Sequence, residues 1–358
     1  PIQVASPIIG IGPDARSAGM GDMGVATAPD ANSQHWNAAK YPFFDSKVGG
    51  SLSYIPWLKN LVNDVNIAYL SFYYKFDDIQ TASASIRYFS IGSMTIVDEY
   101  GSAITEVSPY EMAVDAAYAR KFGEKFSLSL ALRYIRSDLT GGYMSTKDQW
   151  NAMKPANVFG ADIGVYFRNT FRSHEYALGL SLSNLGTKVS YSENTDKYFL
   201  PMTMRLGGTF TLKPNDANSF AFGVELSKLL VPTPPVRDTT ISLNVIKGKE
   251  NNVAVLQGIF QSFYDAPYGI SEELSEVMVG LGVEYSYINQ FFVRGGYFHD
   301  SKRKGNRRYL TFGAGLKYSF LGLDVAYYFP FTANDPLANT IRISLLFNIA
   351  EFDMKNRR

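Results

Sequence analysis

The chain has 358 residues, no cysteine, three histidines, and 34 basic against 33 acidic side chains for a formal net charge of +1. This excludes a disulfide framework, a thiolate metal site and a cysteine nucleophile, and the balanced charge lacks the electrostatic footprint of nucleic-acid binding. His35, His174 and His299 sit in segments of different character without metal-ligand spacing, and no run of about twenty apolar residues reads as a transmembrane helix, so neither metal nor cofactor is expected.

The opening PIQVAS has no basic or apolar signal region, and the chain is expected to be the mature form of an exported protein. The first motif, GMGDMG at Gly19–Gly24, fits the dinucleotide fingerprint G-x-G-x-x-G, which works only between a strand and a helix. Pro7, Gly10, Gly12 and Pro13 upstream make a poor buried strand, and Pro29 stops a helix downstream within about a turn. The polar, glycine-rich residues 1–46 are instead predicted to be a hatch inside a barrel whose first strand begins near Lys47. In that hatch Gly19, Gly21 and Gly24 allow positive φ and close approach to the wall, and Asp14, Arg16 and Asp22 can pair with lumen charges.

From 47 to 348 the sequence alternates with period two. Met112, Val114, Ala116 and Tyr118 run into Phe126, Leu128, Leu130, Leu132 and Tyr134; later Leu310, Phe312, Ala314, Leu316 and Tyr318 run into Leu323, Val325, Tyr327 and Phe329. None of these positions is charged, as a lipid-facing row requires, since Arg or Lys at the bilayer midplane costs roughly 2–4 kcal/mol. The alternate positions are tiny: Ser127, Ser129, Ala131, Gly160, Gly164, Gly313 and Gly315 suit a crowded lumen. Tyr118, Tyr134, Tyr176, Tyr285 and Tyr318, towards strand ends, suit an interfacial girdle.

Tight joins such as FGEKF, YINQF and SFLG alternate with longer loops, the longest at 230–273, as short periplasmic turns alternate with extracellular loops in outer-membrane barrels. The class predicted is all-β: a transmembrane antiparallel β-barrel of about fourteen strands, with an N-terminal hatch in the lumen and a periplasmic tail at 349–358. Counting outward from the turns pairs Asp115 with Arg133, Arg205 with Glu225, Glu284 with Arg294, and Lys317 with Asp324 as a structural charge ladder. Two loops are too apolar for mere connections and are read as partner-binding: Trp57, Leu58 and Leu61 near one rim, and Phe260, Phe263, Tyr264 and Tyr268 in the longest loop. G-x-S-x-G, H-E-x-x-H and P-loop motifs are absent, and no catalytic residue is assigned.

The segment DARSAGMGDMGVATAPDANSQHWNAAKYPF, followed by about fourteen strands, resembles the FadL-type outer-membrane barrel superfamily. That resemblance implies a hatch that includes Trp36 and Asn37; the usual Asn-Pro-Ala end is here Asn37-Ala38-Ala39. SKLLVPTPP (Ser227–Pro235), GIFQSFYDAPYGISEEL (Gly258–Leu274), KGNRRYLTFGAGLKY (Lys304–Tyr318) and DPLANTIRISLLFN (Asp335–Asn348) resemble the PorV family of the type IX secretion system of Bacteroidota. The resemblance implies the outer membrane of a Gram-negative bacterium, surrounded by its lipid and lipopolysaccharide. It also implies a large translocon barrel as partner, cargo carrying a C-terminal signal domain, and delivery to a cell-surface attachment complex. A FadL-like transporter of hydrophobic small molecules is the alternative it leaves, and a lipopolysaccharide deacylase the lesser one.

Overall fold

The structure is a computed structural model that describes residues 2–57, 64–98, 100–142, 154–192, 197–238, 244–331 and 340–349. Its strands are β1 Val48–Pro56, β2 Asn66–Lys75, β3 Gln80–Ser90, β4 Met94–Val97, β5 Ala103–Val107, β6 Tyr110–Lys121, β7 Phe126–Asp138, β8 Ala156–Phe171 and β9 His174–Gly186. They continue as β10 Thr203–Leu212, β11 Asn218–Leu229, β12 Val236–Arg237, β13 Val245–Lys247, β14 Met278–Tyr287, β15 Phe291–His299, β16 Arg308–Tyr318, β17 Leu321–Pro330 and β18 Ile341–Ile349. Two pairs, β4–β5 and β12–β13, are hairpins within loops; the other fourteen strands close into one barrel in chain order, with β1 antiparallel to β18. Closure leaves no sheet edge, the condition for a sheet to cross a bilayer.

The wall follows the alternation. On β7, Leu128, Leu130 and Leu132 are 37, 53 and 65% exposed, whereas Ser127, Ser129 and Ala131 between them are buried. Outward tyrosine hydroxyls near strand ends bond to amides on neighbouring strands: Tyr134 to Asn157 and Tyr285 to Asn218, each at 2.6 Å. Each ring thus keeps an apolar body outward and a satisfied polar tip.

One end of the barrel carries the short turns, the other the long connections. The turn between β16 and β17 is tighter than SFLG suggested. Ser319 adopts φ 55°, Tyr318 pairs with Leu321, and only Ser319 and Phe320 form the bend. The turn therefore has two residues where four were expected, and the register is shifted by two: Lys317 faces Gly322 and Asp324 faces Gly315, so the Lys317–Asp324 pair does not form. The interior is polar as well as apolar, and its fully buried side chains include Arg342, Lys40, Tyr69, Tyr166 and Tyr328.

Candidate functional site: the bonded lumen and the folded-back loop

Helix α1 (Ala15–Gly19) begins at Asp14, whose side chain accepts from the Ser17 amide at 2.8 Å and from Trp36 Nε1 at 2.7 Å. One carboxylate thus caps the helix and fixes the indole. The Trp36 indole lies on Gly24, where a Cβ would fall 2.3 Å from the ring. Arg16 reaches the wall, its Nε and Nη2 meeting Glu284 at 3.0 and 2.9 Å while Nη1 meets Asp30 at 2.9 Å. Glu284 also accepts from Arg294 Nε at 2.6 Å, and Arg294 Nη1 donates to Asp324 at 2.5 Å. Charges alternate along Asp30–Arg16–Glu284–Arg294–Asp324, so each buried ion has an opposite neighbour, without which its desolvation would be unfavourable. Arg294 takes the place expected of Lys317 at Asp324.

Three further attachments hold the same segment to the wall. Asp22 accepts from Tyr309 at 2.5 Å, from Tyr328 at 2.8 Å and from Arg342 at 3.1 Å. Glu225 accepts from the amides of Gly24 and Val25 at 2.7 and 2.8 Å, and lies 3.7 Å from Arg205. Asn37 donates to the carbonyls of Val25 and Val165, and its own carbonyl accepts from the Ala39 amide at 3.1 Å. That last bond caps the 3-10 turn Ala38–Phe43, which forms without the usual proline. Gly19 packs on Gly313, with a Cβ at position 19 only 3.0 Å from its Cα. Elsewhere in the lumen Arg133 bonds Asp115 at 2.6 Å and Asp162 at 2.9 Å.

A cavity of about 630 Å³ lies between these residues and the long loops. Asp22, Arg205, Glu225 and Arg342 give it a charged lining, and Trp36, Trp57 and Phe298 an apolar one. Trp57 is half-buried and turned towards this cavity rather than outward from a rim, because its neighbours are the apolar clusters around Ile55 and Tyr309. Leu58 and Leu61 lie outside the described residues.

The connection between β11 and β14 folds back over the barrel. Helix α2 (Val255–Gln261) and helix α3 (Ile270–Leu274) lie within it. Lys228 shares the outward parity of Leu226 and would face lipid, but its ammonium bonds Glu276 and lies 3.2 Å from Glu273. Lys304 joins the same group, 2.7 Å from both Glu272 and Glu276. Burial would raise Glu276, but bonds from Lys228, Lys304 and Thr233 outweigh it and hold this carboxyl below its ordinary value. Asp265, by contrast, is pushed up to about 6: burial raises it, the bonds from Gln261 and Thr233 oppose that, and Glu273 and Glu276 add repulsion. Outside this network Phe260 is 68% and Tyr268 65% exposed, and Phe263 and Tyr264 are also exposed.

The sequence reading missed Lys228, Tyr328 and Arg342. Arg342 was detectable as a charge on inward parity between Ile341 and Ile343, and Lys228 as a charge on the outward row that demands a counter-ion. Among the described residues no group of three or more His, Cys, Asp or Glu is arranged to hold a metal ion.

Fourteen closed antiparallel strands, an apolar outward row, short turns opposite long loops and an N-terminal segment bonded to the inner wall define an outer-membrane β-barrel. Solved structures of similar fold include the Pseudomonas putida toluene transporter TodX (13% identity, 92% of this chain and 95% of that chain, TM-score 0.52). Others are the CymD monoaromatic hydrocarbon channel (12%, 94% and 98%, 0.52) and the Ralstonia pickettii toluene transporter TbuX (10%, 95% and 98%, 0.50). At these identities the likeness is one of fold. The family model described as type IX secretion system protein PorV matches residues 1–236, and the chain belongs to that family. It is accordingly an outer-membrane component of the type IX secretion system in a Gram-negative bacterium. No curated protein matches the sequence.

Proposed function

We propose that the barrel is a closed, non-enzymatic scaffold. Residues 1–46 act as its hatch, and the long loop is a protein-binding surface that receives cargo with a C-terminal signal domain at the translocon barrel and delivers it to the surface attachment complex. The observation that carries this reading is the β11–β14 loop, which is fixed to the wall by buried ion pairs yet presents Leu256, Phe260, Tyr268 and Ile270 to the outside. Exposed aromatics on a pre-ordered element recognise protein surfaces at small entropic cost. The bonds of Asp22 to Tyr309, Tyr328 and Arg342, and of Glu225 and Glu284 to the N-terminal segment, support a lumen that stays shut.

The test is co-purification from native outer membrane followed by identification of the bound proteins. Recovery of a large barrel and signal-bearing cargo is expected; recovery of neither overturns the proposal. Purified protein is also expected to release no acyl chain from lipopolysaccharide.

The cavity beside Trp57 favours a second reading, a FadL-like passage for hydrophobic small molecules, as the names of the toluene transporters suggest. Its five charged lining residues, Arg307 among them, suit an apolar solute poorly. Uptake of labelled toluene or fatty acid by cells carrying the protein would favour this alternative.

A further inference from the structure

A second cavity, about 460 Å³, lies outside the barrel, between its wall and the folded-back loop. Its floor is Met204 and Leu206 of β10 with Leu226 of β11, and its roof Tyr264, Ile270 and Leu274. The floor residues belong to the outward row that continues as Phe210 on β10 and as Val224 and Phe222 on β11, all of them exposed. The groove is therefore continuous with the lipid-facing surface of an outer-membrane barrel, and it lies at the long-loop end, which in such barrels borders the outer leaflet.

The mouth has its own chemistry. Lys249 Nζ lies 3.8 Å from the centre of the Tyr264 ring, and Lys247 Nζ 5.2 Å from that of Tyr268. Both lysines are exposed and, among the described residues, neither is held in an ion pair. The neighbouring acids are already engaged: Glu250 by Arg237, Glu272 by Lys304, and Glu273 and Glu276 by Lys228. A largely apolar slot open to the membrane, with one ammonium group on its roof residue Tyr264 and a second on Tyr268, next in the chain to the lining residue Gly269, matches an acyl chain joined to a phosphorylated headgroup.

We propose that this groove holds one acyl chain of lipopolysaccharide, the phosphorylated lipid of the outer leaflet, with a lipid A phosphate held by Lys247 and Lys249. This goes beyond the scaffold reading and does not depend on it. The site lies on the lipid side of the wall, away from the lumen, and its occupant would brace the loop that presents Phe260.

The test is native mass spectrometry of the delipidated full-length protein, titrated with bisphosphorylated lipid A, dephosphorylated lipid A and phosphatidylethanolamine. Saturable binding of bisphosphorylated lipid A is expected, at least five-fold tighter than that of the other two lipids. K247E/K249E, altered only at exposed positions, should weaken it at least five-fold, and Leu226→Trp, which fills the groove, should abolish it while heat-modifiability reports an intact barrel. Equal binding of all three lipids, or binding unchanged in both variants, overturns the proposal. So does a groove that binds no lipid A and is protected from hydrogen exchange over 263–277 only when the translocon barrel is added, since that result assigns the groove to a protein. None of these readouts depends on cargo delivery, so the failure of this inference and of the scaffold reading are distinguishable.

Discussion

Gly21 lies backbone to backbone against Gly296: a Cβ on Gly296 would fall 2.0 Å from the Gly21 amide nitrogen, and one on Gly21 would fall 2.5 Å from the Leu281 carbonyl oxygen. Gly21 also has φ +72° and donates its amide to Thr311 at 3.0 Å. Position 21 therefore excludes a side chain twice, by conformation and by space. Gly21→Ala is expected to cost about 1–3 kcal/mol for the left-handed backbone alone, with the clash in addition. Gly295→Ala is the control, because a Cβ there meets nothing within 4 Å. Thermal midpoints should fall for the first and stay put for the second, and single-channel recordings should show openings only in the first. Equal midpoints would mean that the contact contributes nothing to holding the segment.

Among the described residues Arg16 alone links the N-terminal segment to Glu284 in the alternating series. Arg16→Met leaves Glu284 sharing only Arg294, and Asp30 without its guanidinium. A loss of about 3–5 kcal/mol is expected, as for a buried pair deprived of one partner. Adding Glu284→Gln should recover part of it, because the uncompensated charge is then gone. Strict additivity of the two substitutions in a double-mutant cycle would refute the coupling.

The folded-back loop should respond to pH through Asp265. Its carboxyl is raised from 3.8 to about 6 in the docked loop, so docking binds a proton between those values. The stabilisation is complete below about 4 and is lost as pH rises through about 6. Hydrogen exchange over 255–277 should therefore be slower at pH 5 than at pH 7.5, and Asp265→Asn should flatten the profile. Glu276 shifts the other way, below its ordinary value, so its contribution is lost as pH falls rather than as it rises. Exchange that slows as pH rises towards 7.5, after correction for the intrinsic rate, contradicts the assignment.

Phe260 and Phe263 separate two roles within one loop. Phe260 is the more exposed, whereas Phe263 lines the outer groove. Phe260→Asp is expected to reduce co-purification of the translocon barrel or cargo at least ten-fold with an unchanged thermal midpoint. Phe263→Asp should also loosen the loop, seen as faster proteolysis around 255–277. Undiminished co-purification with Phe260→Asp removes this residue from the contact surface.

The barrel was legible in the sequence because its rules are local. A pleated strand sends successive side chains to opposite faces, so Leu128, Leu130 and Leu132 declare the lipid side and Ser127, Ser129 and Ala131 the lumen. Asp115 meets Arg133 because both are counted from one short turn. The same counting failed for Lys317 and Asp324, since the left-handed Ser319 closes that turn in two residues instead of four, which residue identity alone did not reveal.

What depended on closure was not legible. Asp22 meets Tyr309 across 287 positions of chain, and only the finished barrel brings β16, β17 and β18 around residue 22. Lys228 broke the outward apolar row, and the loop that neutralises it with Glu273 and Glu276 had to fold back before the break made sense. Periodicity specifies which face a residue takes. Which distant residue meets it there is decided by how the wall closes and where the long connections come to rest.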